Sequence, residues 1–269
     1  MVPIPPKPCE LLDPTSTEIL KSSIEPFSIG ILCRGGELET LRLSMETWVA
    51  DGFLQSATEV LIMVNEISAE IESFLEPYKR EPVSIRVLES YENEGILRGI
   101  NWLMGNATND YFLFLEKDFR LVEPLSCALE QIEAGIHLIE SNTAHVVKYR
   151  SRFNAGKPNW AEVSYKGREE DIFGIQPNLL CNFYHFIDRP AQRWPQHFDV
   201  CSENPLFYCV DSEFCNWTNN PFLINKHWWF ENYVHKFAQI NSAEPDFNLE
   251  GFMNWQQGAW NDRHWIVVE

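Results

Sequence analysis

The sequence predicts an α/β protein with a mostly parallel sheet and helices on both of its faces. Between residues 27 and 142, four short β-rich runs alternate with four segments whose apolar residues recur at helical spacing. Strands that alternate with helices in this way are typical of crossover connections, which join parallel strands. Aromatic residues crowd into the second half, where helical periodicity weakens, so a mixed portion is expected there.

The elements of the first half can be read in order from these patterns. The predicted strands are Phe27–Cys33, Val60–Val64, Val83–Leu88 and Tyr111–Leu115. The predicted helices begin near Leu38, Ser68, Ile96 and Leu125, with Gly52 and Gly105 as stops of the first and third. Each strand is followed by a helix, which completes four strand–helix units.

No linker interrupts the chain after its proline-rich start. Residues 1–25 are expected to form an irregular arm, and residues 26–269 a single domain. Within that domain, residues 26–142 form the predicted nucleotide-binding half and residues 143–269 the substrate-binding half. The last residues resemble a strand that stops abruptly, as in a domain cut from a longer polypeptide.

The composition excludes several classes of function. The net charge is −18 and Lys and Arg form no long run, which argues against binding to nucleic acid or to anionic membranes. No apolar stretch approaches the ~18 residues that a membrane-spanning helix needs. The N-terminus lacks the apolar core of a signal peptide. A cytoplasmic protein is the expectation that follows.

The cysteines are predicted to be reduced and mostly buried thiols. Their number is odd, and neither a CxxC pair nor zinc-site spacing occurs. The seven are Cys9, Cys33, Cys127, Cys181, Cys201, Cys209 and Cys215. Two glycosylation sequons, Asn106-Ala107-Thr108 and Asn216-Trp217-Thr218, would matter only in a secreted protein.

The first motif with chemical content is Glu116-Lys117-Asp118, which follows the apolar strand Tyr111–Leu115. In an open parallel sheet, ligands bind beyond the carboxyl ends of the strands. Two carboxylates there suit a hard divalent cation held against a diphosphate, so the motif points to metal-assisted chemistry on a nucleotide. Lys117 should point away from the metal. Solvated loop charge is the structural alternative.

Two further loops follow strands at the same predicted edge. Gly95, in Asn93-Glu94-Gly95, lets the backbone approach a ligand closely, and Arg98 on the next helix could reach a phosphate. Arg34-Gly35-Gly36 follows the first strand and matches neither GxGxxG nor GxxxxGK[ST]. Ordinary turns are the alternative for both loops.

The order of these motifs resembles the GT-A glycosyltransferases, in particular their family 2-like branch. Asn93, Gly95 and Asn101 stand where that branch has its N-x-G…N segment, and Glu116 and Asp118 stand where it has its DxD. Ile100 departs from the arginine that many members carry. The resemblance covers roughly residues 27–122 well and the remainder loosely.

The resemblance implies a nucleotide-diphosphate sugar donor, with a UDP-sugar favoured, a glycan or glycoside acceptor, and Mn²⁺ or Mg²⁺. The implied metal ligands are Asp118, Glu116 and, near the C-terminal end, His264. The residues expected at the donor are Cys33, Arg34, Gly35, Asn65, Glu66, Asn93, Gly95, Arg98, Asn101, Glu116 and Lys117. Most of the tryptophans are expected to be core, although aromatic rings also suit sugar faces.

An inverting reaction is expected, with one carboxylate as general base. Glu250 matches the family's acidic base best, Asp246 is the reserve, and Asp211 or Glu213 comes third. Two alternatives stay open: a nucleotidyltransferase, for which Arg34-Gly35-Gly36 is a poor match, and a non-catalytic carbohydrate-binding module on a transferase-like fold.

Overall fold

The computed structural model describes residues 24–149, 190–201, 207–211, 221–234 and 265–268. The chain divides into two compact units, Met1–His137 and Leu138–Glu269. Nearly all of the predicted N-terminal arm lies outside the described residues.

The first unit contains a four-stranded parallel sheet flanked by helices. Its strands are β1 (Phe27–Arg34), β2 (Glu59–Asn65), β3 (Arg86–Glu89) and β4 (Tyr111–Glu116). Its helices are α1 (Leu38–Ala50), α2 (Ala69–Leu75), α3 (Gly95–Asn106) and α4 (Leu125–Glu140), whose last residues enter the second unit, and short 3₁₀ turns lie at Leu54–Ser56 and Glu76–Lys79. The strand order is β3-β2-β1-β4 and every pair is parallel, which confirms the predicted α/β class.

Burial explains why these segments form these elements. Almost every residue of β1, β2 and β4 is buried, as expected of parallel strands that are covered on both faces. In α1 the buried residues Leu41, Met45 and Trp48 recur at helical spacing. Helix α3 lies so close to β1 that a Cβ on Gly99 would overlap the Leu32 side chain.

Strand β3 begins three residues later than predicted. Val83 and Ile85 are buried, but their N–H groups donate to Arg80 O and Tyr78 O in the preceding turn, at 3.3 and 2.8 Å. Apolar residues report burial and not the hydrogen-bond partner, so the pattern extended the strand into a buried turn.

The second unit contains a mixed five-stranded sheet. Its strands are β5 (Val146–Lys148), β6 (Phe198–Val200), β7 (Tyr208–Asp211), β8 (Phe222–Asn225) and β9 (Trp265–Val268), in the order β8-β5-β9-β7-β6. Strands β5 and β9 are parallel, and the other pairs are antiparallel. Short helical segments lie at Pro190–Arg193 and Lys226–Trp228, and a π-helical segment at Trp229–Val234.

Several aromatic side chains of the second unit form its core. Trp229 and Phe222 are buried, and their rings stack with centroids 6.3 Å apart. Trp228 stacks on His145 at 5.0 Å. The core interpretation therefore describes Trp229, whereas Trp228 is half-buried.

The prediction of reduced cysteines is wrong for three of the residues concerned. Cys201 and Cys209 form a disulfide between the end of β6 and β7, with their Cα atoms 5.0 Å apart. Cys127 is disulfide-bonded as well, whereas Cys33 is a buried free thiol. Spacing alone could not predict the first bridge, because the antiparallel pairing of β6 with β7 is what brings its two cysteines within bonding range.

Within the described ranges, no helix has the length and apolar character needed to cross a membrane.

Candidate functional site

The candidate site lies at the carboxyl edge of the parallel sheet in the first unit. The chain runs outward from β1 to β3 and then returns to place β4 on the other side of β1. Strand order therefore reverses between β1 and β4, and ligands of open α/β sheets bind in the crevice outside the carboxyl ends at such a point. The segments that leave β1 and β4 there are Arg34-Gly35 and Glu116-Lys117-Asp118.

Glu116 and Asp118 are held close together by the turn that ends β4. Glu116 lies opposite Leu32 of β1, the Lys117 N–H donates to Leu32 O at 3.1 Å, and the Phe119 N–H donates to Glu116 O at 3.2 Å. Burial, as the largest cause, and the charge of Asp118, as the second, raise the pKa of Glu116 to about 7. Two carboxylates in this arrangement resist being ionised together, a condition that a bound cation relieves.

Lys117 belongs to a different ion pair. Its Nζ lies 3.3 Å from the carboxylate of Glu37, the residue that precedes α1. Burial acts to lower the pKa of Lys117, but Asp118, Glu116 and Glu37 together outweigh it, and the pKa is raised. Lys117 is therefore a charged, partly buried bridge between the β4 turn and the start of α1.

Three cationic side chains at this edge each form an ion pair with an acidic residue other than Glu116 or Asp118. Lys117 pairs with Glu37, Arg34 with Glu66, and Arg98 with Glu94 at 3.5 Å. Among the described residues, none forms an ion pair with Glu116 or Asp118. The charge of Lys117 acts on both carboxylates, but its ion pair is with Glu37, so negative charge exceeds positive charge here.

The turn after β1 is fixed to the end of β2. The Gly35 N–H donates to Asn65 O at 2.8 Å, and a Cβ on Gly35 would overlap the carbonyl oxygen of Glu66. A Cβ on Gly36 would meet no atom within 4 Å. The two glycines therefore differ: Gly35 permits backbone packing inside the protein, and Gly36 lies beside open space.

Asn65 presents a buried acceptor without a partner. It is 5% exposed, its Nδ2 donates to Gly95 O at 3.5 Å, and its Oδ1 has no hydrogen-bond partner. An unsatisfied buried oxygen lowers stability, so its presence at the sheet edge suits an atom that receives a hydrogen bond from a ligand.

Cys33, the residue before Arg34, is buried, and its Sγ donates to Arg34 O at 3.4 Å. Burial and the nearby Glu37 raise the pKa of this thiol to about 12. Cys33 is therefore a protonated packing residue and not a nucleophile.

The predicted Asn93-Glu94-Gly95 loop forms a tight turn before α3. The Gly95 N–H donates to Asn93 Oδ1 at 3.0 Å, and Gly95 has a φ of 74°. Asn101 lies six residues after Gly95, about 9 Å along the helix axis and toward the amino edge. The loop and Arg98 thus lie at the start of α3, and Asn101 lies deeper along it.

Most of the predicted general bases and the predicted third metal ligand lie outside the described residues. Asp246, Glu250, His264 and Glu213 lie outside the described residues, and Asp211 ends β7 in the second unit. Within the described ranges no group of three or more His, Cys, Asp or Glu side chains is arranged to hold a metal ion. Glu116 and Asp118 are therefore two ligands at most, and any third ligand must come from elsewhere.

No protein-family model and no curated protein matches the chain. Among solved structures, the glycosyltransferase GlyE of Streptococcus pneumoniae TIGR4 matches 88% of this chain and 44% of its own, at 12% identity and a TM-score of 0.44. The structure of S. aureus TarS 1-349 matches 50% of this chain and 39% of its own chain, at 15% identity and a TM-score of 0.38. The mannosyltransferase PcManGT from Pyrobaculum calidifontis, in complex with GDP-Man and Mn²⁺, matches 52% of this chain and 44% of its own chain. The identity is 10% and the TM-score is 0.38.

The chain spans less than half the length of each of these three proteins. Two of the three are glycosyltransferases by name.

Sequence reasoning missed two residues at this edge. Glu37 holds Lys117, and Tyr91, in the loop after β3, has 86% of its surface exposed. Tyr91 lies between Ser90 and Glu92, whose carbonyl oxygens accept bonds from the Ile67 and Glu66 N–H groups at 2.9 and 3.3 Å. An aromatic residue between polar neighbours just after a predicted strand was the available signal.

Proposed function

We propose that this chain is a glycosyltransferase that moves a sugar from a nucleotide-diphosphate donor, with a UDP-sugar favoured, to a hydroxyl of a carbohydrate acceptor. The observation that carries the proposal is the acid pair Glu116 and Asp118, which forms no ion pair among the described residues, at the point where strand order reverses. A diphosphate at this edge would be repelled by those two carboxylates, so a cation between them is required for binding.

The chemistry of the acid pair fits a divalent metal. Carboxylate oxygens are the ligands that Mn²⁺ and Mg²⁺ prefer, and Glu116 lies where burial and Asp118 both disfavour its ionised form. In the proposal Asp118 is the principal ligand, Glu116 assists, and His264 is the candidate third ligand. The ion, when bound, supplies positive charge that offsets the charge of the departing diphosphate.

The neighbouring strand ends are proposed to bind the nucleoside. Asn65 Oδ1 would accept a hydrogen bond from a ribose hydroxyl or a base N–H, and Arg34 and Glu66 would border the same region. Cys33 and Gly35 would hold the wall in shape through the contacts described above. Gly36, beside open space, leaves room for a ring. Asn93, Gly95 and Asn101 remain proposed donor contacts.

Arg98 is the proposed cation for the diphosphate or the sugar. Its guanidinium is exposed and its bond to Glu94, at 3.5 Å, is long, so exchange of that carboxylate for a phosphate requires little rearrangement. Lys117, paired with Glu37, would act at a distance by holding the β4 turn against α1.

Glu250 is the proposed general base, with Asp246 in reserve, and the reaction is proposed to invert the anomeric centre. The base would take the proton of the acceptor hydroxyl as its oxygen attacks the anomeric carbon and the bond to the diphosphate breaks. Glu250→Gln should retain donor binding and lower transfer on the order of 10²-fold. Retention of the donor's anomeric configuration, seen by NMR of the product, would exclude this assignment.

The decisive experiment compares Asp118→Ala with Asp51→Ala. Asp51 is exposed at the end of α1, far along the chain from the motif, and serves as a matched control. Calorimetry with UDP and Mn²⁺ should detect no binding to Asp118→Ala, and this variant should release no UDP from a UDP-sugar. A chelator should have the same effect on the wild type. Asp51→Ala should bind UDP and release it as the wild type does. Equal turnover of both variants would refute the proposal. If GDP bound more tightly than UDP, the choice of uridine would be wrong. Binding without turnover would instead assign a carbohydrate-binding module.

A further inference from the structure

The state of the cysteines gives information on where the chain folds. Of the described cysteines, Cys127, Cys201 and Cys209 are in disulfides and Cys33 is a buried thiol. Disulfides form and persist in oxidising compartments and are rare in the cytosol. The cytoplasmic expectation followed from the charge, the lack of a long apolar stretch and the N-terminal sequence, and these disulfides oppose it.

We propose that the chain folds in an oxidising secretory compartment and that Asn106 carries an N-linked glycan there. The inference is independent of the proposed function. Asn106 begins the sequon Asn106-Ala107-Thr108, the acceptor pattern for such glycans. The sequon acquires this meaning only together with the disulfides, because the modification takes place in the same compartment.

The sequon lies on the surface at the end of α3. Asn106 is half-buried, Thr108 is exposed, and Ala107 between them is buried and anchors the turn. Trp102 lies one helical turn before Asn106 and is 41% exposed. An exposed indole four residues before the acceptor lies on the same helix face and offers an apolar surface to the first sugar of a glycan.

The hydrogen bonds of Asn106 are compatible with the modification. Its Nδ2 donates to Trp102 O at 2.9 Å and uses one of its two hydrogens. In the transfer a lipid-linked oligosaccharide diphosphate is the donor. Its C1–O bond to phosphate breaks, the Nδ2–C1 bond forms, and the displaced amide proton is released together with the lipid diphosphate. The remaining N–H can keep the bond to Trp102 O.

The glycan would lie at the opposite edge of the sheet from the candidate site. Arg86, the first residue of β3, donates to Asn106 O, and Glu59, the first residue of β2, accepts from Thr108 N and Oγ1 at 2.8 and 3.1 Å. These contacts fix the sequon to the amino edge, and α3 separates it from the carboxyl edge by about 16 Å. A glycan on Asn106 therefore leaves the proposed donor site open. Because Thr108 is hydrogen-bonded in the folded chain, the transfer must precede folding of this edge.

The test uses the full chain secreted from eukaryotic cells behind an added signal sequence. Peptide mass spectrometry, before and after enzymatic release of N-glycans, should find a glycan on the peptide that contains Asn106. The peptide-level readout separates this sequon from Asn216-Trp217-Thr218. Asn106→Gln and Thr108→Val should both lose that glycan, and Thr108→Ser should keep it. A secreted, folded wild-type chain with unmodified Asn106 would overturn the glycan assignment.

The disulfides from which the compartment is inferred have their own measurement. In the secreted chain, Cys127, Cys201 and Cys209 should react with an alkylating reagent only after reduction, whether or not Asn106 is modified. Alkylation of these three cysteines in the unfolded, unreduced chain would overturn the disulfides and, with them, the inference of an oxidising compartment.

Discussion

At the residue scale, the unpaired Oδ1 of Asn65 should have opposite effects on the stability of the free protein and on ligand affinity. Its Oδ1 is buried without a hydrogen-bond partner, which is unfavourable for the folded chain by about 1–3 kcal/mol. Such a group in a well-packed sheet is explained if a ligand completes its bonding. The same atom would then lower stability in the free protein and raise affinity in the complex.

Asn65→Leu should therefore weaken nucleotide binding without destabilising the fold. Leucine removes the unsatisfied oxygen and, with it, only the long Nδ2 bond to Gly95 O at 3.5 Å, so the melting temperature should change little. Loss of one ligand hydrogen bond, worth about 1–1.5 kcal/mol, should weaken UDP binding about tenfold in calorimetry with Mn²⁺. Unchanged affinity together with raised stability would show that Asn65 plays no part in binding.

Tyr91 is expected to act only through a ligand. With 86% of its surface exposed, its removal should change the free energy of unfolding by no more than about 0.5 kcal/mol. Its position beside the candidate site suits stacking on a base or sugar, so Tyr91→Ala should raise KM for donor or acceptor, and Tyr91→Phe should restore it. Trp102→Ala, at the exposed α3 surface, is the control that should leave KM unchanged.

At the element scale, the prediction of strands was right where the buried apolar residues belong to a strand. Strands β1, β2 and β4 are apolar because both faces are covered, and the sequence pattern carries that directly. It failed at the start of β3, where Val83 and Ile85 are buried in a turn. Periodicity locates buried residues, and it cannot tell whether their N–H groups bond to a neighbouring strand or to a turn.

The two glycines after β1 provide a matched pair of substitutions. Gly35→Ala places a Cβ against the carbonyl oxygen of Glu66, and backbone must move to accommodate it. A loss of about 1–3 kcal/mol is expected, with weaker nucleotide binding at the displaced edge. Gly36→Ala meets open space and should leave stability unchanged. Urea denaturation of both variants measures the difference, and equal midpoints would contradict the close approach at Gly35.

At the scale of the whole molecule, the sequence predicted that Glu116 and Asp118 follow a buried strand, but not the ion pairs around them. Glu116 and Asp118 follow a strand within one local segment, so the pattern located them. The Arg34–Glu66 and Lys117–Glu37 pairs join residues far apart in sequence, and only the β3-β2-β1-β4 order brings them together. The Cys201–Cys209 bridge joins residues only eight apart, and it was missed because the pairing of β6 with β7 decides that these two cysteines meet.

Lys148 links the stability of the chain to pH. It lies in β5 between Phe222 of β8 and Val268 of β9, and its side chain is fully buried. Burial lowers its pKa from 10.5 to about 7. A charged ammonium in this position is unfavourable, and the sheet around it is most stable when Lys148 is neutral.

Replacing Lys148 with methionine should therefore flatten the dependence of stability on pH. Between about pH 7 and 10.5 the unfolded chain binds a proton on this lysine that the folded chain does not, so stability rises with pH across that window. Below about pH 7 both states are protonated and the full penalty, on the order of a few kcal/mol, remains. Lys148→Met should melt at a higher temperature than the wild type at pH 6.5, with the difference shrinking toward pH 10. Lys79→Met, which removes a surface lysine paired with Glu76, is the control for general loss of charge. A wild-type and Lys148→Met difference that stays constant from pH 6.5 to 10 would mean that Lys148 keeps its proton in the folded chain throughout.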